Sequence, residues 1–297
     1  MAGAEEYGAV ILGILVIAVT SYIYVKKPAE PFQDLTTILD PTKTYTIPFY
    51  TPRKKSIATK INNVPLVIYE TWHDRNVPEG MKNAITSLLN TNPEFDYYLY
   101  SDDDCVEFIQ NNFDDEVATA FKTLKPGAYK SDLWRYCILY INGGVYLDVK
   151  YLSTNVTLLS IIRDHSEVYV RDIWPDGICT DGLYNGFMIS PPGNEVFNDC
   201  IKDIVISTKN NLYRRNLLDV TGPCLLGRML KKYKTKVYLD NNPFHLVKSV
   251  DGFDVDGIKK YDTLILKHYK TYRMEQRIFQ KTLRYGDMYA NKDIYVV

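Results

Sequence analysis

The stretch Asn142–Tyr151, "NGGVYLDVKY", sets Asp148 and Lys150 inside a run that is otherwise apolar and aromatic. Such a run, bounded by a Gly-Gly break, predicts a strand whose successive side chains point to opposite faces. Val145, Leu147, Val149 and Tyr151 then share one side, and Tyr146, Asp148 and Lys150 the other. One side reads as core and the other as a site. Just upstream, "PGAYKSDLWRYCILYINGG" (Pro126–Gly144) predicts a helix over Ala128–Ile141, opened by the Pro-Gly break and ended by Gly143 or Gly144, which can take the left-handed conformation of a C-terminal cap. Apolar residues wrap nearly its whole circumference, as in a buried helix. Asp132 and Arg135 lie three apart and share a face near its start. An internal ion pair would explain them alone. A second opposite-charge pair in the same corner favours a functional site, because charges gathered beside a core cluster where chemistry is done.

Outward from this corner the chain alternates. "VPLVIYETW" (Val64–Trp72) predicts a buried strand, and "PEGMKNAITSLLN" (Pro78–Asn90) a helix with Met81, Ile85, Leu88 and Leu89 at helical spacing. "FDYYLY" (Phe95–Tyr100) predicts a second strand. "SDDDCVEFIQNN" (Ser101–Asn112) predicts a helix capped by Ser101, with Asp102, Asp103 and Asp104 placed in its first turn for the helix dipole rather than for catalysis. Strand and helix in short alternation predict an α/β fold with a mostly parallel sheet, helices on both faces, and a ligand site outside the carboxyl ends of the strands.

The chain has 297 residues, 46% of them hydrophobic and 13% aromatic, enough for a full core. Its 35 basic residues nearly cancel 36 acidic ones, which argues against a nucleic-acid partner. The 25 tyrosines outnumber 11 phenylalanines, a composition suited to polar surfaces that also stack on a sugar or a base. Cys105, Cys137, Cys179, Cys200 and Cys224 show no metal or redox spacing, so buried free thiols are expected.

At the N-terminus, Tyr7–Val25 runs without a charge and is long enough to cross a hydrocarbon core of about 30 Å. The sequence therefore predicts a short tail (residues 1–6), an uncleaved transmembrane anchor (7–25), a stalk rich in Pro and Thr (26–60) and a globular domain (61–297). Lys26 and Lys27 after the span place that domain in the cytosol of a single-pass membrane protein. One glycosylation sequon, Asn155-Val156-Thr157, points instead to the lumen.

The central block "YKSDLWRYCILYINGGVYLDVKY" (Tyr129–Tyr151) resembles the DXD-containing sugar-binding region of the family 32 glycosyltransferases, which include yeast-type initiating mannosyltransferases and relatives encoded by large DNA viruses. "VPLVIYETW", "YNGFMISPPG" (Tyr184–Gly193), "TGP" (Thr221–Pro223) and "KHY" (Lys267–Tyr269) extend the resemblance from about Val64 to His268. It implies a GT-A fold and a transferase that moves a sugar from a nucleotide-sugar donor, with retention, to a glycan, protein or lipid acceptor. It also implies roles. Asp132 and Arg135 would hold the donor sugar and its phosphates, Asp148 would stand as first acid of Asp-x-Asp, Tyr146 would share its donor-facing side, Trp72 would stack on the base, and Asn185 would lie near the transferred sugar. The second acid, expected to ligate Mn or Mg, is Lys150. A cation cannot ligate a cation, so Lys150 is expected to supply charge to the leaving diphosphate, making Asp148, Lys150 and Arg135 the catalytic set. If a divalent metal binds at all, Asp148 and His268 are its candidate ligands. Two other readings stand beside this one. A membrane-anchored, non-catalytic carbohydrate- or nucleotide-binding protein would use Lys150 only to neutralise Asp148, and a glycoside hydrolase would need a second free acid nearby.

Overall fold

The computed structural model describes residues 43–296 apart from 174–178, 235–237, 239 and 249–255. The span at residues 7–25 lies outside the described residues. Among those described, no helix is long and apolar enough to cross a membrane. The single-pass localisation expected from the sequence is corrected accordingly.

Ten strands form one sheet: β1 (Tyr50–Thr51), β2 (Val67–Thr71), β3 (Asp96–Tyr100), β4 (Gly144–Leu147), β5 (Tyr151–Ser153), β6 (Val168–Arg171), β7 (Leu183–Ser190), β8 (Phe244–Val247), β9 (Gly257–Lys260) and β10 (Thr263–His268). Their spatial order is β1-β3-β2-β4-β7-β6-β8-β9-β10-β5. Only β2 with β3, β2 with β4, and β6 with β8 run parallel; the other six pairings are antiparallel. The fold is mixed α/β, so the expected mostly parallel sheet is corrected. Strand–helix alternation holds through β4, where crossovers return each strand in the same direction. Beyond it, a two-residue turn joins β9 to β10, and such a connection can only pair strands antiparallel.

The helices are α1 (Glu79–Thr91), α2 (Asp102–Asn112), α3 (Asp115–Thr123), α4 (Gly127–Asn142), α5 (Leu158–Asp164), α6 (Glu195–Lys209), α7 (Pro223–Leu230), α8 (Tyr272–Phe279) and α9 (Tyr285–Ala290). Ser101 caps α2 through a reciprocal box with Asp104: its hydroxyl accepts the Asp104 N–H at 3.2 Å, and the Asp104 carboxylate accepts the Ser101 N–H at 2.8 Å. Gly143 ends α4 with φ of 64°, and a Cβ there would meet the Pro191–Pro192 backbone. Two apolar layers cover the sheet. Val145, Leu147 and Ile68 belong to one, while Tyr146, Tyr69 and the buried flank of α4 belong to the other, as strand parity requires. Packed structure begins before residue 61, since β1 edges the sheet and Arg53 pairs with Asp96 at 2.5 Å. The cysteine expectation is corrected too: Cys179 and Cys224 are disulfide-bonded, although 45 residues apart, and Cys105, Cys137 and Cys200 are the buried free thiols.

Two buried glutamates tie elements together, one between helices and one between neighbouring strands. Glu275 of α8 accepts from the Gly80 N–H at 2.9 Å, the Tyr269 hydroxyl at 2.8 Å and the Thr271 hydroxyl at 3.1 Å, which fastens α8 to the first turn of α1. Glu70 of β2 is 1% exposed and accepts the Tyr97 hydroxyl at 2.7 Å. Burial pushes its pKa to about 8, against the opposing Tyr97 hydrogen bond. The folded protein therefore keeps a proton that the unfolded chain releases near pH 4.5. The resulting stability is complete below that pH and drains away as pH rises toward 8. Glu70→Gln keeps the neutral hydrogen bond without the titration. Its stability relative to wild type should rise between pH 5 and pH 8 by roughly 1 kcal/mol per pH unit, read by urea denaturation. A pH-independent difference would contradict this account.

Candidate active site

Where α4, the end of β4 and β7 meet, the side chains of Asp132, Arg135, Asp148 and Lys150 converge. Arg135 is at the centre. Its Nη1 lies 3.2 Å from Asp132 Oδ1 and donates to the Asn185 carbonyl at 2.8 Å, while Nη2 lies 3.3 Å from Asp148 Oδ1. Its side chain is 6% exposed, and its guanidinium stacks 4.5 Å from the centroid of the Tyr146 ring. Lys150 Nζ reaches Asp148 Oδ2 at 2.8 Å. The predicted strand stops at Leu147, and Asp148–Lys150 forms a turn before β5. Even so, Val149 and Tyr151 stay in the apolar layer of Val145 and Leu147, so the charged pair keeps the side that strand parity assigned to it.

Asp148 is saturated with partners. Oδ1 also accepts the Tyr146 hydroxyl at 2.8 Å, Oδ2 accepts the Tyr184 hydroxyl at 3.3 Å, and the backbone N–H donates to the Gly186 carbonyl at 2.9 Å. A Cβ at Gly186 would collide with the Tyr184 hydroxyl and the Asp148 carboxylate, which is why glycine stands there. Burial alone would raise the Asp148 pKa, but Lys150 and Arg135 together hold it well below the usual carboxylate range. Asp132 goes the other way. Its burial outweighs the attraction of Arg135 and raises its pKa, even though it accepts from Asn185 Nδ2 at 2.9 Å and from the Thr221 hydroxyl at 2.7 Å.

These groups border a cavity of about 670 Å³. Asp132, Arg135, Asp148, Lys150, Asn185, Trp72 and His268 all line it, so the structure gathers the sequence-predicted residues around one space. Tyr146 is the exception: it is buried behind the wall and touches the wall residues Asp148, Arg135 and Ser131. Asn185 donates to Asp132 and to the Tyr136 hydroxyl, and so orients Asp132. Trp72 packs edge-on against His73 at 4.7 Å, and its Nε1 has no partner. His268 is 7% exposed between Tyr151 and Tyr272, and its Nε2 has no partner either. Burial, reinforced by Lys150 and Arg273, pushes its pKa down to about 2, so the ring is neutral.

Sequence reasoning missed several wall residues. Asp102 and Asp103 face the cavity while Asp104 alone serves the cap, and burial raises the Asp102 pKa. Tyr184, Tyr272 and Arg273 also line it. Tyr184 could have been suspected from its place beside Asn185 in "YNGF"; the other two carry no local signal.

The described residues do not fit a divalent metal. Both Asp148 oxygens are already engaged by cations and hydroxyls, and the position of the second acid is Lys150. Among the described residues no group of three His, Cys, Asp or Glu side chains converges as a metal site.

Residues 78–164 match the family described as "Glycosyltransferase sugar-binding region containing DXD motif", which bears out the resemblance read from the sequence and supports sugar transfer. The chain is 28% identical over 175 residues to inositol phosphoceramide mannosyltransferase 2 of Schizosaccharomyces pombe, covering 59% of this chain and 48% of that protein. It is 24% identical over 193 residues to an uncharacterized glycosyltransferase of Acanthamoeba polyphaga mimivirus, covering 64% of this chain and 71% of that one. The match thus spans about half the length of the fission-yeast relative. Among solved structures, the PaToxG glycosyltransferase is similar at 13% identity and a TM-score of 0.42, over 60% of this chain and 73% of that one.

Arg135→Met would take the shared cation from two buried carboxyl groups at once, leaving Asp132 with no cation and Asp148 with Lys150 alone. Unfolding in denaturant should show a loss of about 3–5 kcal/mol, the scale for breaking a buried pair from one side. A loss under about 1 kcal/mol would mean that water reaches the corner freely and that Arg135 is not its keystone.

Proposed function

We propose that this chain is a glycosyltransferase of GT-A type that moves a sugar, with retention, from a nucleotide-sugar donor to a glycan, protein or lipid acceptor, with Lys150 in place of the second acid of the DXD motif. The observation that carries this reading is the cavity wall on which Asp148 is gripped between Arg135 and Lys150. In it, Trp72 stacks on the base, and Asp148 accepts hydroxyls of the ribose or the sugar. Asp132, oriented by Asn185 and Thr221, grips the sugar. Lys150 exchanges part of its pairing with Asp148 for the diphosphate oxygens. As the bond from the sugar to the diphosphate breaks, negative charge grows on the leaving oxygen, and a preorganised ammonium at that place lowers the barrier. Arg135 is held by Asp132, Asp148 and the Asn185 carbonyl, so its part is to fix the two carboxylates.

The 2.8 Å contact between Lys150 and Asp148 also favours a second reading, in which the lysine only neutralises the acid and the cavity binds a carbohydrate or nucleotide without turnover. The two separate cleanly. With a panel of nucleotide sugars, the full chain should hydrolyse or transfer from at least one. Lys150→Ala should then lower turnover by a factor of about 10² or more, the scale for losing one preorganised charged group, with much smaller change in donor affinity. Donor binding with no turnover by the wild type would establish the binding protein instead.

A further inference from the structure

Because the site residues do not fit a metal, the charge of a bound diphosphate has to be met by side chains. Lys150 alone is one positive charge. The C-terminal wall of the cavity supplies more. After β10 the chain turns through Tyr269, whose N–H donates to the Lys150 carbonyl at 3.0 Å, and enters α8 at Tyr272. The ring of Tyr272 gathers three basic side chains: Lys150 Nζ lies 5.9 Å from its centroid, the Arg273 guanidinium 5.5 Å, and the His268 ring 5.7 Å. All four residues line the cavity.

We propose that Arg273 and His268 join Lys150 in a clasp for the diphosphate of the donor. The proposal rests on the nucleotide-sugar reading above. His268 Nε2 is buried and has no partner among the protein groups, and a phosphate oxygen is an acceptor it can donate to. Arg273 is loosely engaged. Its side chain is 62% exposed, its nearest carboxylate, Asp256, stands 3.7 Å away, and Nη1 reaches Gln276 Oε1 only at 3.4 Å. That leaves most of its five donors for a ligand, and a guanidinium fork matches two phosphate oxygens side by side. Asp256 holds His268 through its carbonyl, which accepts the His268 N–H at 2.8 Å, and its carboxylate lies between the two members, 3.9 Å from His268 Nδ1 and 3.7 Å from Arg273 Nη2. Glu275, anchored to α1, fixes the helix that carries Arg273. The segment is thus held by its backbone and presents one cation, Arg273, and one neutral N–H donor, His268, at the tips.

Calorimetric titration of the full chain, in chelator, with UDP, GDP, uridine and guanosine tests this. Wild type should bind at least one of the diphosphates. Arg273→Gln should weaken that diphosphate at least tenfold and leave the matching nucleoside unchanged, with the gap narrowing as salt rises from 50 to 300 mM. Inorganic pyrophosphate should compete with the diphosphate on wild type and compete less well on the variant. His268→Gln should weaken the diphosphate at least fivefold. Arg273 is largely exposed, so its variant should melt with wild type and decides the matter even if the His268 variant unfolds. An Arg273→Gln protein that melts normally and binds the diphosphate as tightly as wild type overturns the clasp. A wild type that binds no diphosphate and no nucleoside overturns the nucleotide-sugar reading itself, and the clasp falls with it.

Discussion

The Asp148 carboxylate is the constraint around which the corner of this protein is arranged. A buried carboxylate must be paired and hydrogen-bonded or it costs several kcal/mol, and here two cations and two hydroxyls meet it while its own N–H is used by Gly186. Each partner comes from a different piece of chain: Arg135 from α4, Tyr146 from β4, Lys150 from the turn that follows, Tyr184 from β7. Satisfying one acid therefore docks a helix, two antiparallel strands and a turn onto one another. The arrangement also fixes the geometry of Asp132, because Arg135 is shared between the two acids.

What lay within a few residues was legible. The spacing of Asp132 and Arg135 announced a shared helical face, Gly143 announced the end of the helix, and strand parity put Asp148 and Lys150 on the side away from Val145 and Leu147. That parity outlived the strand itself, which stops at Leu147, because Val149 and Tyr151 still have to be buried. What depended on distant segments was not legible. Thr221 meets Asp132 across 89 residues and Tyr184 meets Asp148 across 36, and neither contact leaves a periodic trace. In the antiparallel half of the sheet, the pairing of β9 with β10 follows from a two-residue connection that resembles an ordinary turn, while β4 and β7 pair across distant stretches of chain. The acidic run at Ser101 misled in part, since one of its three carboxylates caps the helix and the other two face the cavity.

The cavity also shows a division of labour that local sequence hides. The α4 and β4 side supplies interlocked, fully satisfied charges that hold one another in place. The α8 side supplies groups with spare donors, His268 and Arg273, on a backbone secured through Glu275. Rigid acids opposite underused bases suit a ligand with hydroxyls at one end and phosphates at the other.

In the proposed mechanism Lys150 does the electrostatic work that a second acid and its metal would otherwise do. The direct measurement is turnover of a nucleotide sugar by the full chain after exhaustive chelation, followed by addition of manganese. Turnover that persists in chelator and is unchanged by manganese is the predicted result. Turnover that vanishes in chelator and returns with manganese would contradict it, by placing a metal beside Asp148 despite the lysine.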